Sequence, residues 1–533
     1  QNRNIVSEAD RNYFFIKNPL SALHDPFLLK NMNRTLERIR SAVENRERMM
    51  IFGDYDADGI TGTVIFFQTL KKIGAEVSYR LPDRQNDGYG LSEKFVQECV
   101  AQRVKVLITV DCGISCSAEI SLAKKYGIDV IITDHHSIPE ASKFPNDAFA
   151  IIHPKQKDCP YPDKEITGAG VAFKVAQALY STHHLLQNQD FEHLMDLAGL
   201  GTVADCAPLR GENRHIVRHG LAMLKNTKNH GLKHLKKVAG IGEKEYGTEI
   251  FSYILAPRLN AAGRIAHPYF ALQLLLSEDD KAERLAQNLQ KLNEERQRMT
   301  RLSCDEASRR FGDHPEKLPI LIAHDPNWKS GIIGLIAGKL KERYARPCII
   351  MEDRGDRLVG SVRSPEHFST IALLTELEDF LEHFGGHDQA GGFDMKKENL
   401  EMFQKTAMEI SEKNLRENPI QNTLAIDCEL AESDISFETY EMMKSLEPFG
   451  IGNEKPVFLV KDVTIRNIRT MGELGKHLTC TAELSHKSMR GVGFNLGEQS
   501  SALEEGEKRD LVCTLDKNDW NGNSSLELKI IDF

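Results

Sequence analysis

No C-x-x-C pair occurs among the ten cysteines of this 533-residue chain, and the closest two are Cys112 and Cys116. That scatter reads as buried, reduced thiols in a cytoplasmic protein and speaks against a zinc-thiolate site. No apolar run reaches the roughly 18 residues that a membrane span requires. Nothing resembles a signal peptide, so no membrane partner is expected. Low-complexity tracts and internal repeats are missing too. Basic residues are in deficit, with 68 Lys and Arg against 78 Asp and Glu and a net charge of -10. This balance argues against indiscriminate polyanion binding. It leaves room for a local basic groove, or for a bound metal that supplies positive charge.

What is present is a folded composition, 41% hydrophobic and 27% charged. At about 150 residues per domain, the length suggests three or four domains. The stretch "MMIFGDYDADGITGTVIFF" sets an apolar strand, Met49 to Phe52, before a segment with helical apolar spacing from Thr61. Asp54, Asp56 and Asp58 fall in the turn between them. The rhythm repeats: "VKVLITVDCGIS" ends its strand on Asp111, and "IDVIITDHHSIP" ends on Asp134, His135 and His136. Between them "CSAEISLAKKYG" has a helical period and stops at glycine. Alternating strands and helices predict a parallel sheet that collects ligands at the carboxyl ends of its strands. A fourth acid, Asp205, follows the small residues of "MDLAGLGTVADCAPL".

The rest of the chain divides by texture. A catalytic α/β domain with an N-terminal extension is expected over 1–270, and a connecting helix over 271–312, where Lys281 to Phe311 lacks Gly and Pro. A second α/β domain is expected over 313–415, restarting at "LPILIAHDPNWKSGIIG" and holding the glycine-dense "FGGHDQAGGF". From 421 to 533 short alternating strands predict a small β-barrel.

A single Asp at a strand end is ordinarily a helix cap or turn former. A convergent set of Asp54, Asp56, Asp58, Asp111, Asp134 and Asp205 with His135 and His136, and no lysine or arginine in the same turns, is not explained by capping. A divalent metal explains it. Carboxylates mixed with imidazole suit Mn2+ best and admit Mg2+ or Fe2+. Six or more ligands exceed one ion's needs, so two ions sharing a carboxylate are expected, the apparatus of phosphoester hydrolysis.

The ordered motifs "GDYDADG", "DCGIS", "TDHH" and "GTVAD" resemble those of the DHH phosphoesterase superfamily. "APRLNAAGRI", "GGHDQAGGF" and "LEPFGIGNEKPVF" resemble more specifically the RecJ exonucleases, from about Leu20 onward. The resemblance implies a DHH domain, a DHHA1-type second domain and a C-terminal OB-fold. It implies Asp56, Asp58, Asp111, His135 and Asp205 as ligands of two Mn2+ or Mg2+ ions, with Asp111 as bridge. Asp54 either joins the ions or orients a ligand. His136 would face the scissile phosphate, and Asp134 would hold an imidazole in its tautomer. Arg84, Ser361 and Arg363 would grip a terminal 5′ phosphate, the arginines as bidentate forks. His387, in its glycine loop, would add a donor. Arg258, Asn260 and Arg264 either line the cleft or brace the two domains.

The resemblance thus implies a 5′ to 3′ exonuclease specific for single-stranded DNA, acting in recombination and repair. It would release 5′-mononucleotides as a cytoplasmic monomer, with single-strand binding protein and a RecQ-type helicase as partners. In the barrel, Lys461, Arg466, Arg469, Lys476, Lys487 and Arg490 predict a basic face, and Phe494 or Trp520 a base-stacking ring. The rival readings are a DHH hydrolase of nano-RNA, bisphosphate nucleotides or cyclic dinucleotides, a manganese pyrophosphatase, and a non-catalytic DNA-binding scaffold. The small-substrate enzymes would not need the C-terminal β domain.

Overall fold

A computed structural model describes residues 3, 5–84, 88, 90–186, 190–242, 246–419, 423–520 and 523–533, the side chain of Trp520 excepted. The chain forms two compact units, one of 24–207 and 219–421, the other of 1–23, 208–218 and 422–533.

The larger unit holds two sheets. The first comprises β1 (Arg48–Gly53), β2 (Val77–Arg80), β3 (Val104–Val110), β4 (Asp129–Thr133) and β5 (Ala150–Ile152), in the order β2-β1-β3-β4-β5. All its pairings are parallel. β1 and β3 read as near-continuous apolar runs because both faces of such a sheet are covered. On one face Phe52, Leu107 and Ile132 pack with Phe95 and Ile120 of two flanking helices. The helices Ala57–Lys72, Gly168–Thr182 and Met195–Ala204 pack on one another. Gly62 permits their approach, since a Cβ there would lie 2.7 Å from Val110 Cγ1 and 3.3 Å from Ala169 Cα.

The long helix runs Asp279–Arg310, 32 residues, or about 48 Å at 1.5 Å per residue. It packs against the helices His230–Val238, Ala256–Ile265 and Ser330–Tyr344. The second sheet has the order β6-β7-β8-β10-β9, from β6 (Leu321–Asp325), β7 (Cys348–Asp353), β8 (Arg357–Arg363), β9 (His383–His387) and β10 (Ala390–Lys396). Only β6 and β7 pair in parallel. The helix Ser330–Tyr344 covers one face through Ile332, Ile336 and Leu340. The other face buries Leu358, Val362 and Met395 against Leu374 and Phe403.

The smaller unit is a closed barrel. β12 (Phe458–Met471), β13 (His477–Glu483), β14 (Ser488–Gly493), β16 (Asn523–Asp532) and β15 (Lys508–Trp520) pair in that order, and β15 returns to β12; β11 (Cys428–Glu429) pairs on the outside of β12. Within this unit Arg214 is 1% exposed. Its guanidinium lies 3.7 Å from the centre of the Phe14 ring. It donates to the carbonyls of Phe14 (3.3 Å), Leu446 (2.7 Å) and Ser445 (3.5 Å). One side chain therefore ties three separate stretches of chain together. No described helix is long and apolar enough to cross a membrane.

Arg214→Ala strips donors from buried carbonyls and leaves a cavity. It is expected to destabilise this unit by about 3 kcal/mol, read as faster hydrogen exchange of the barrel amides. Unchanged exchange would show that the carbonyls do not depend on the guanidinium.

Candidate metal centre and phosphate-binding site

Each acid that ends a strand of the first sheet keeps pairing with its neighbour. The N–H of Asp54 donates to Val110 (3.2 Å), that of Asp111 to Thr133 (2.9 Å) and that of Asp134 to Ile152 (3.3 Å). These acids are the last rungs of the ladder, and Asp54 and Asp111 flank the point where the strand order reverses. Asp111 has φ 62°, a left-handed conformation that Asp tolerates better than most residues.

Asp56 caps a helix by accepting the N–H groups of Asp58 (3.0 Å) and Gly59 (3.1 Å). The helix therefore starts at Ala57, ahead of the apolar spacing at Thr61. Asp58 falls in its first turn and accepts from Gly168 (2.7 Å) and Ala169 (3.0 Å), the N-terminus of a second helix and a natural seat for an anion. Glycines make the crowding possible. A Cβ on Gly201 would lie 2.6 Å from Asp58 Oδ1, and one on Gly168 2.5 Å from Asp111 Oδ1. Asp205 arrives from a helix end rather than a strand end, as the C-cap of Met195–Ala204.

These groups converge. Ligand atoms of Asp54, Asp56 and Asp111 lie within 4.8 Å of one another, as do those of Asp58, His135 and Asp205, and those of Asp111, His135 and His136. Burial, and then the neighbouring carboxylates, push Asp58 up to about 7 and Asp205 up to about 8. The same causes hold Asp54 and Asp111 well above the usual carboxylate range. Asp111 Oδ1 and His135 Nε2 are 3.1 Å apart, yet both are buried without a hydrogen-bond partner. Burial pushes His135 down to about 3, which keeps its imidazole neutral and able to ligate. An oxygen-rich set with one neutral imidazole and two unsatisfied donor atoms fits divalent ions of the Mn2+ or Mg2+ kind.

Asp134 stands apart from that set. Its carboxylate accepts the N–H of Ile114 (2.9 Å), His135 (2.7 Å) and His136 (3.1 Å) and lies 2.7 Å from His136 Nδ1. Burial would raise it, but the His136 ring and these donors hold it down at about 2. Burial would lower His136, but Asp134 outweighs it and raises the imidazole to about 9. The imidazole that Asp134 holds is therefore that of His136. His153, which the motif reading missed, is fully buried and has Nε2 2.9 Å from the His136 carbonyl. It follows the apolar run of β5, so the signal that found the other loops was available.

The cationic residues gather beside these acids. Arg363 Nη1 donates to Ser361 Oγ (3.0 Å). Arg84 lies over the Tyr55 ring at 5.1 Å. Burial, and then the positive charges of Arg84, Arg296 and Arg363, push Arg264 down to about 10, with Asp56 opposing. Arg296 was also missed; it sits on the long helix among many charges, and its Nε is buried without a partner. His387 shares a sheet face with Arg363 and Ser361 by register. The contacts of the remaining three are bracing ones. Arg258 donates to Gln290 (2.7 Å) and Ile254 (2.6 Å), Asn260 accepts from Ala57 (2.8 Å), and Arg264 donates to Gly331 (3.2 Å).

The basic face expected on the barrel is partly paired with acids. Lys461 pairs with Glu429 (2.8 Å), Arg466 with Glu483 (2.6 Å) and Arg490 with Glu527 (4.0 Å). Lys487 donates to the carbonyls of Glu432 (3.1 Å) and Ile435 (3.0 Å). Phe494 is 54% exposed, edge-on to His477 at 5.3 Å. The Trp520 side chain lies outside the described residues.

Family models match in the expected order: the DHH family N-terminal domain over 48–202, the DHHA1 domain over 317–413 and the RecJ OB domain over 426–532. A Salmonella typhimurium protein named single-stranded-DNA-specific exonuclease RecJ is 31% identical across 95% of this chain and 90% of its own length. The chain belongs to the RecJ family. A Bacillus subtilis protein of the same name is 37% identical across 98% of the chain, which spans 66% of that relative's length. The Thermus thermophilus RecJ crystal structure in complex with Mn2+ has a TM-score of 0.81 at 29% identity, over 95% of this chain and 71% of its own.

Two outcomes follow from the crowding. In EDTA the carboxyls bind protons more tightly folded than unfolded. Above about pH 6.5, where His135 is neutral whether folded or unfolded, stability is therefore expected to fall as pH rises through about 7 to 8; at lower pH the weak proton affinity of His135 works in the opposite direction. Mn2+ should restore it, and Asp111→Asn should flatten the loss; thermal melts across pH with and without metal decide, and a flat wild-type profile in EDTA would sink the argument. Gly201→Ala should displace Asp58 and cut phosphodiesterase activity by about tenfold or more while circular dichroism stays native.

Proposed function

We propose that this chain is a metal-dependent exonuclease that hydrolyses single-stranded DNA from the 5′ end and releases 5′-mononucleotides, in DNA recombination and repair. One observation carries the reading: a buried carboxylate and imidazole centre adjoins a group of arginines, close enough that Arg84 acts electrostatically on Asp54. The names of the relatives support the substrate.

Two ions, Mn2+ or Mg2+, would be held by Asp54, Asp56, Asp58, Asp111, His135 and Asp205. When bound, they supply Lewis acidity at the phosphoryl centre and a water made acidic enough to attack at neutral pH. The protein's own groups do the positioning. His136, its ring fixed by Asp134, donates to an oxygen of the scissile phosphate. Arg84, Ser361 and Arg363 bind the terminal 5′ phosphate, with His387 and its glycine strand beside them. Holding the end while the next phosphodiester meets the metal ligands sets the polarity and the one-nucleotide step. Arg264 adds positive charge, and Arg258 and Asn260 brace the elements that carry the site. Phe494 offers the barrel a ring for a base.

The enzyme is read as a cytoplasmic monomer. A RecQ-type helicase, which exposes single strands, and a single-strand binding protein, which coats them, are the partners such an activity calls for. A hydrolase of small nucleotides is disfavoured by the RecJ OB match over 426–532.

Digestion of 5′-labelled and 3′-labelled single strands, duplex, RNA and cyclic dinucleotides in Mn2+, Mg2+ or EDTA tests this reading. The 5′ label should leave first as mononucleotide, only with metal. Asp111→Ala should abolish cleavage and retain DNA binding. First release of the 3′ label, or preference for dinucleotides, would overturn it.

A further inference from the structure

β5 is followed directly by a histidine and a proline, in "IIHPK". β4 and β5 run in register from Ile131 opposite Ala150 to Thr133 opposite Ile152. The ladder goes one rung further, with the Asp134 N–H donating to the Ile152 carbonyl (3.3 Å). The next rung would need a donor from residue 154, and Pro154 has no N–H to give. A side chain takes over. His153 Nε2 lies 2.9 Å from the His136 carbonyl, so the end of β5 stays tied to the loop that carries His135 and His136.

The other ring nitrogen fixes the tautomer. The Lys155 N–H donates to His153 Nδ1 (3.1 Å), and a nitrogen that accepts carries no hydrogen. The hydrogen of the neutral ring is therefore on Nε2, where it donates to the His136 carbonyl. Both bonds require the same form of the ring.

His153 is held from behind. The Gln156 side chain donates to the carbonyls of Ile151 (2.9 Å) and His153 (3.3 Å), and Lys164 donates to those of Pro154 (3.0 Å) and Cys159 (2.7 Å). His153 is fully buried. His136 keeps 37% of its side chain exposed, stands 3.9 Å from Asp111 Oδ1, and leads into the exposed Ser137 and Ile138. The support therefore runs from the buried ring to the exposed one. Asp134 Oδ1 accepts the His136 N–H (3.1 Å) and lies 2.7 Å from its Nδ1, which sets the rotation of the ring. His153 holds the peptide that follows, which sets where the residue stands. A ring that must meet one phosphate oxygen needs both, since a displacement of about 1 Å can cost about a hundredfold in rate.

We propose that His153 is a positioning residue for the hydrolysis: through the His136 peptide it sets where the His136 imidazole meets the scissile phosphate. The inference rests on the exonuclease reading above and gives His153 no contact of its own with DNA or metal.

The test pairs His153→Met, which removes the donor, with His153→Gln, whose amide N–H replaces it at similar length. Each is made in the wild-type chain and in His136→Ala, and read by kcat and KM on 5′-phosphorylated single strands in Mn2+ and by Mn2+ affinity from calorimetry. His153→Met should lower kcat by about tenfold or more, with KM and Mn2+ affinity within about twofold of wild type, and His153→Gln should recover most of the rate. In His136→Ala the same change to Met should cost less than about twofold more, because its effect passes through that ring. An equal loss in both backgrounds, a parallel fall in Mn2+ affinity, no recovery by glutamine, or no loss at all would overturn the positioning role and leave the exonuclease standing. Should the variants not fold, the nitrogen-15 shifts of the wild-type imidazoles decide: a His153 ring carrying its hydrogen on Nδ1 sinks the proposal, and one carrying it on Nε2 upholds it. If the wild-type chain digests no single strands, both readings fall.

Discussion

Mutual repulsion among buried carboxylates is the constraint on which the catalytic unit depends. Asp54, Asp58 and Asp111 are each less than a tenth exposed, and each has its proton affinity raised by burial and by its neighbours. A fold that only needed to be stable would not gather them. Backbone N–H groups at a helix start compensate part of the charge on Asp58, and glycines at 168 and 201 remove the side chains that would push the acids apart. The remainder calls for cations.

The same logic runs with opposite sign on the facing set. Arg264 and Arg363 are buried enough to lose affinity for their protons, and Arg84 makes both worse. Each cluster is unfavourable alone: the acids call for cations, and the arginines for an anion such as a phosphate. Strain of this kind, concentrated where chemistry occurs, separates a site from a structural ion-pair network.

The sequence made the metal side legible because strand periodicity, turn residues and acids coincide at 54, 111 and 134, and parallel topology forces such turns to one edge. It grouped Asp205 with the other acids without showing that a helix end delivers it. The roles of Arg258 and Asn260 were not legible, since a cationic or amide side chain at helical spacing looks alike whether it faces a ligand or a neighbouring helix. The pairing within the barrel's basic run was hidden for a related reason: Glu429 lies far from Lys461 in sequence, and Glu483 is on the strand opposite Arg466. Arg296 was hidden among the many charges of its helix, where only tertiary placement distinguishes it.

The barrel unit is assembled from residues 1–23, 208–218 and 422–533, and Arg214, with Arg3 and Leu209, is among the residues through which the first two reach carbonyls of the third. Residues 1–23 therefore meet partners at two distances along the chain: Arg218 donates to the Ile16 carbonyl from 202 residues away, and Arg3 donates to Asn453 from 450 away. Loop-closure entropy grows only slowly with length, so such separations weigh on how fast this unit folds more than on how stable it is.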